Sequence, residues 1–150
     1  MRIGAIAQYN YIMAGSNLRK SVTFSSYQNL TPEQIEESID LKVFKHHIYE
    51  YKKGIRHLIL TTEKAKHKNT IEKRLEHEKI PFIINEVDGN VINVFFGDEP
   101  CVNVVKTFNQ KLNKLSPEQD FMLGIMLGYD RVKQCSRYLK MKEKESKILV

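Results

Sequence analysis

His46 and His47 are adjacent, and His57 follows a run that interleaves aromatics with cations: Tyr49, Tyr51, Lys53 and Arg56. Imidazoles ligate metals and exchange protons near neutral pH. In a strand, residues 46 and 47 point to opposite faces and cannot share one metal. One of them could meet His57 across a hairpin, yet a zinc site would still want further ligands at a recognisable spacing. The two cysteines, Cys101 and Cys135, show no spacing that ties them to these histidines. The expectation is hydrogen-bonded, partly buried histidines, with no metal site and no cofactor. His67 and His77 fall in a charged helical pattern and read as surface residues. Aromatics beside cations can stack bases and hold phosphates. His46, His47, Tyr49, Tyr51, Lys53 and Arg56 are therefore candidate binding residues, for a partner or a ligand. No RNP-like motif or recognition-helix pattern accompanies them, so nucleic acid is not the expected target.

A second group closes the chain: Gly124, Gly128, Tyr129 and Asp130. Each glycine inside a helix costs about 1 kcal/mol against alanine. Four apart, the two lie on one helical face and permit close backbone approach. That arrangement suits tight packing, or a shallow groove for a flat ligand or a partner. Asp130 would fall mid-helix, where it can pair with Arg131 or Lys133 or edge a site. No G-x-S-x-G, P-loop or G-x-G-x-x-G is present, so no catalytic residues are assigned and a non-enzymatic role is expected. A base built from His47 and Asp130 would need the two within hydrogen-bond reach.

The elements that must position these residues can be read from period and punctuation. Residues 1–40 read as a flexible N-terminal extension containing one short helix, opened by Thr31-Pro32-Glu33-Gln34. Residues 41–150 read as a single compact α+β domain with a basic C-terminal tail. Ile55 to Thr62 has the composition of a strand. The run before it, Leu41 to Tyr51, is ambiguous. A strand over its first half, turning at Lys53-Gly54, is favoured. Val43, Phe44, His47, Ile48 and Tyr51 also fit a helical face. Residues 63–79 predict an amphipathic helix with Ile71 and Leu75 inward, ended by Pro81. Phe82 to Val87 and Asn90 to Gly97 flank Asp88-Gly89, a dipeptide that accepts the positive φ values of a tight hairpin turn. Asp98-Glu99-Pro100 opens a helix with Val102, Val105 and Phe108 inward. Ser116-Pro117-Glu118-Gln119 opens a last, long helix running to about Lys142. The predicted architecture is an antiparallel sheet of about four strands, in two hairpins, covered on one face by helices.

The chain has 150 residues, 41% hydrophobic and 28% charged, which suits one globular domain. No apolar run approaches the ~18 residues a membrane span needs. Two cysteines make no disulfide framework, which points to a reducing, cytoplasmic compartment. The net charge of +6 is uneven: residues 1–40 carry three cations against four carboxylates, so the remainder holds the whole surplus. From Arg131 onward seven cations face two carboxylates. Such a balance suits an anionic partner (nucleic acid, an acidic protein or phosphate ligands), and equally the plain solvated face of a Lys/Glu tail, the commoner meaning of a charge run.

Three segments carry a resemblance. They are His46-His47-Ile48-Tyr49-Glu50-Tyr51-Lys52-Lys53-Gly54-Ile55-Arg56, Val94-Phe95-Phe96-Gly97, and Pro117 to Phe121 with Leu127-Gly128-Tyr129-Asp130. Together they resemble a small uncharacterised bacterial family, a domain of unknown function, over about residues 41–140. The first forty residues depart from its pattern. The family has no assigned catalytic residues, so none are carried over. Its members are often encoded beside, or fused to, flavodoxin. The resemblance thus implies an acidic protein partner such as flavodoxin for this basic domain. The expected function is an accessory or regulatory domain. The competing expectation is a small-ligand or nucleotide-binding sensor, with a pocket between the last helix and the His46–Arg56 region.

Overall fold

The computed structural model describes residues 30–148. The expected flexible stretch before them lies outside the described residues. Two helices open the fold: α1 (Pro32–Asp40) and α2 (Lys42–Lys52). Strand β1 (Leu58–Lys64) leads through a 3-10 turn to α3 (Lys68–His77). Strands β2 (Phe82–Glu86) and β3 (Val91–Gly97) form the hairpin, and α4 (Glu99–Lys106), α5 (Pro117–Met126) and α6 (Arg131–Ile148) follow. These elements belong to one compact unit, Pro32–Val150.

The ambiguous segment is a helix, which removes one expected strand and one expected hairpin. Leu41, Phe44 and Ile48 are buried, the i, i+3, i+7 spacing of a helical face. Lys53-Gly54 is the cap of that helix and not a hairpin turn. Gly54 has φ +69, its N–H bonds Tyr51 C=O at 2.9 Å, and the Ile55 N–H bonds Glu50 C=O at 3.0 Å. That pair of bonds is a Schellman motif. Its geometry needs a residue that tolerates a left-handed backbone.

Among the described residues the sheet therefore has three antiparallel strands, in the order β1-β3-β2. Thr61 lies opposite Val94 in one ladder, and Ile84 opposite Val94 in the other. The β2–β3 hairpin stands as expected, but its turn works differently. Neither Asp88 nor Gly89 has positive φ. The Asp88 carboxylate accepts from the N–H groups of Asn90 (2.8 Å) and Val91 (2.9 Å), closing the loop from its side chain.

Both faces of the sheet are covered, where one covered face was expected. Ile59, Ile92, Val94 and Phe96 pack with Phe44 and Ile48 of α2 and with Ile71 and Leu75 of α3. The rings of Phe44 and Phe96 meet edge-on at 5.8 Å. On the opposite face Leu58 and Phe95 pack with Val102 and Val105 of α4 and with Leu123 and Leu127. Six of the seven residues of β3 are buried, as a central strand between two helical layers requires.

The last helix is two helices. Gly128 has φ +78 and caps α5: its N–H bonds Ile125 C=O, and the Tyr129 N–H bonds Gly124 C=O, both at 3.0 Å. Asp130 then starts α6, its carboxylate accepting from the Lys133 N–H at 2.8 Å. At the front of α5 the capping box forms as the sequence predicts, Ser116 and Gln119 exchanging bonds at 3.2 Å.

Candidate functional site

Three polar constellations sit at helix ends. The first belongs to the C-terminal half of α2. Glu50 is its hub: His47 Nδ1 lies 2.8 Å from one carboxylate oxygen, with His46 at 3.9 Å and Arg56 at 3.8 Å. The bond to His47, and then the Arg56 charge, hold the Glu50 carboxyl below the usual range. His46 stacks on Tyr49 with ring centres 6.2 Å apart, and the Lys53 ammonium lies 5.6 Å from the Tyr49 ring. His46, His47, Tyr49, Lys53 and Arg56 thus gather at one end of one helix. Being helical neighbours, His46 and His47 share an acid and do not point to opposite faces of a strand.

Tyr51 departs from that group. Its hydroxyl donates to Asp98 Oδ1 at 3.1 Å, and His57 Nδ1 bonds Asp98 Oδ2 at 2.7 Å. Burial, and then the Asp98 carboxylate, push the Tyr51 phenol up. Asp98 occupies the N-cap position of α4 but makes no side-chain cap bond, because its carboxylate turns to Tyr51 and His57. Gly97 makes the approach possible: a Cβ there would overlap the His57 carbonyl. Meanwhile the Asp98 N–H bonds that same carbonyl at 2.8 Å. Sequence reasoning took Asp98 for a helix start alone, and the residue it meets lies 41 positions away.

The third constellation is α5–α6. Gly124 faces α6, and a Cβ on it would overlap the Gln134 side-chain amide. A side chain there would have to turn the Gln134 amide aside. Arg137 clamps Asp120 through Nε at 2.7 Å and a terminal nitrogen at 3.0 Å, and Lys142 reaches Glu118 at 3.0 Å. A cavity of about 470 Å³ opens beside them, with Leu60, Leu115, Leu123 and Leu127 as its apolar lining and Tyr129 at its edge. A second, shallow and open cleft of about 460 Å³ lies on the surface of α6 alone, past Lys133, Lys140 and Lys144.

Gly124, Gly128, Tyr129 and Asp130 thus lie together, but apart from the His46–Arg56 group. α2 packs on one face of the sheet and α5 on the other. A single concave site drawing on both groups does not form, and His47 and Asp130 do not pair. His67 is a further correction, being buried at 5% exposure with Nε2 2.8 Å from Asp40. Among the described residues no three His, Cys, Asp or Glu side chains are placed to hold a metal ion. No helix among them is long and apolar enough to cross a membrane.

A central antiparallel sheet between two helical layers, with cations concentrated on its last helix, defines an α+β domain. The sequence matches the family described as "Protein of unknown function (DUF2023)" over residues 42–141, and the chain belongs to that family. The match begins with α2 and ends within α6. No curated protein matches the chain.

Proposed function

We propose that the domain is a non-enzymatic accessory or regulatory module that binds an acidic protein. Flavodoxin, the partner implied by the resemblance, is the one to test first. One observation carries the proposal: the seven-to-two excess of cations over carboxylates from Arg131 onward, on a helix that buries none of its described residues. Complementary charge steers such encounters and makes them sensitive to salt. A cytoplasmic location fits the two free thiols, Cys101 and Cys135. Titrating flavodoxin into the full chain tests the proposal. Binding at ~20 mM salt that weakens several-fold at ~200 mM supports it. No binding at the lower salt rejects it.

A second reading, a small-ligand sensor, has one supporting observation. The cavity beside α5 has a volume within the usual range for ligand sites, ~300–1,000 Å³. Its other half, drawn from the His46–Arg56 region, has no support, since that region packs on the opposite face of the sheet. Thermal shifts across a metabolite panel, compared between the parent and Asn113→Trp at the cavity mouth, separate the two readings.

A further inference from the structure

The acidic-partner proposal can be carried to a surface, on which the following rests. We infer that the partner docks on α5–α6, laying an acidic helical segment along α6 and seating one apolar side chain in the leucine-lined cavity.

α6 spans 18 residues, about 27 Å, and packs on α5 while burying none of its described residues. A helix so lightly covered gains little from tertiary packing, the usual source of helical stability. Two of its seven cations are already paired. Arg137 is spent on Asp120, and Lys142 on Glu118 and Glu145. Among the described residues Lys133, Lys140 and Lys144 meet no carboxylate within ion-pair distance, and these three line the cleft along α6. Val132 and Met141 edge the stripe they form.

The cleft and the leucine cavity adjoin, because Arg137 lines both. Beside that junction Tyr129 and Val132 are exposed, Val132 at 76%. An apolar centre beside a charged margin is the anatomy of a protein interface. An aliphatic or aromatic side chain in a desolvated pocket is its usual anchor. Nucleic acid suits the surface less well. A phosphate backbone wants dense cations and has no use for an apolar floor. Here the three free lysines form one stripe edged by Val132 and Met141, beside a cavity walled by leucines.

The probe is a synthetic helical peptide of about 18 residues, matched in length to α6, with glutamates on one face and leucines on the other. A scrambled peptide of the same composition and a single-stranded oligonucleotide accompany it. Binding to the isotope-labelled full chain is followed residue by residue by NMR at low salt. Shifts are expected at Val132, Lys140, Leu115 and Leu123. The triple variant K133Q/K140Q/K144Q, which keeps good helix formers, should weaken binding at least about tenfold. Asn113→Trp, at the cavity mouth, should weaken the peptide more than its scramble. Shifts elsewhere, or unchanged affinity in the triple variant, overturn the docking surface while leaving the acidic-partner proposal standing. Equal binding of the scrambled peptide removes the apolar anchor and overturns this inference. Tighter binding of the oligonucleotide on α6 overturns it in favour of nucleic acid. No binding of either peptide or of flavodoxin at low salt ends both proposals.

Discussion

Replacing Gly128 by alanine separates two physical pictures of the C-terminal third, because they give opposite signs. In a continuous helix, Gly128→Ala would stabilise by about 1 kcal/mol. In the observed fold Gly128 has φ +78 and ends α5. Nothing lies within 4 Å of a Cβ built there, so crowding adds no penalty. What remains is the backbone cost of holding an L-residue in the left-handed region, about 1–2 kcal/mol. For a domain of this size each kcal/mol moves Tm by roughly 4 °C, so a fall of about 4–8 °C is expected. Lys79 supplies the mirror experiment. It has φ 55 at the end of α3, where its N–H bonds Glu76 C=O and the Ile80 N–H bonds Leu75 C=O, both at 3.0 Å. This is the same Schellman cap without a glycine. Lys79→Gly should therefore raise stability by about 1 kcal/mol. Urea melts of parent and both variants, followed by circular dichroism, give the two signs in one assay. A more stable Gly128→Ala, or a less stable Lys79→Gly, would refute the capping argument.

Three further outcomes are expected. Burial pushes the carboxyl of Glu63 up, against the bond donated by the Thr61 hydroxyl at 2.6 Å. A raised carboxyl favours the native state at low pH and costs stability as pH rises through its folded pKa. Glu63→Gln should thus gain more at about pH 7 than at about pH 5, and an equal gain at both would contradict it. Asp40 shows the opposite sign: the bond from His67, and then the Lys64 ammonium, hold its carboxyl well below the usual range. Its contribution is present above the ordinary carboxylate pKa and lost as pH falls through the folded one. α1 buries no residue and is tied down by Asp40 together with Glu36–Lys66 (2.6 Å) and Glu37–Thr70 (2.6 Å). Asp40→Asn, or acid, should raise amide exchange in α1 before α2, and simultaneous loss in both would argue against that order. Phe96→Ala removes a fully buried ring from the edge-on pair with Phe44 and should cost about 3–5 kcal/mol in a chemical melt.

How far the fold could be read from the chain depended on whether a signal had one physical meaning. Ser116 to Gln119 carries the residues of a capping box, and the box forms. Glycine has several meanings. Lys53-Gly54 and Asp88-Gly89 look alike as turn dipeptides, but one caps a helix and the other spans a loop closed by a carboxylate. The better clue to α2 was the spacing of Leu41, Phe44 and Ile48, which outweighed its aromatic and β-branched content. β3 also announced its place: Val91 to Phe96 is apolar on nearly every residue, which suits a strand covered on both faces. Contacts across long separations had no local sign at all. Tyr51, His57 and Asp98 meet only because β1 pairs with β3, and that register brings Leu58 opposite Gly97.

The same geometry explains why the charge of the chain could be read more easily than its chemistry. Carboxylates are drawn inward as ties between elements. Asp40 joins α1 to β1 and the turn after it, Glu78 joins Lys52 of α2 to the end of α3, Asp98 joins α4 to Tyr51 and His57, and Asp120 joins α5 to α6. Each tie uses up an anion that would otherwise screen the surface. Lys133, Lys140 and Lys144 of α6 are among the cations that this pairing leaves unmatched among the described residues. A titratable group engaged in holding two helices together is poorly placed to turn over a substrate. An unmatched cation beside an apolar cavity still has something to gain from a partner, and the function of this domain is best sought there.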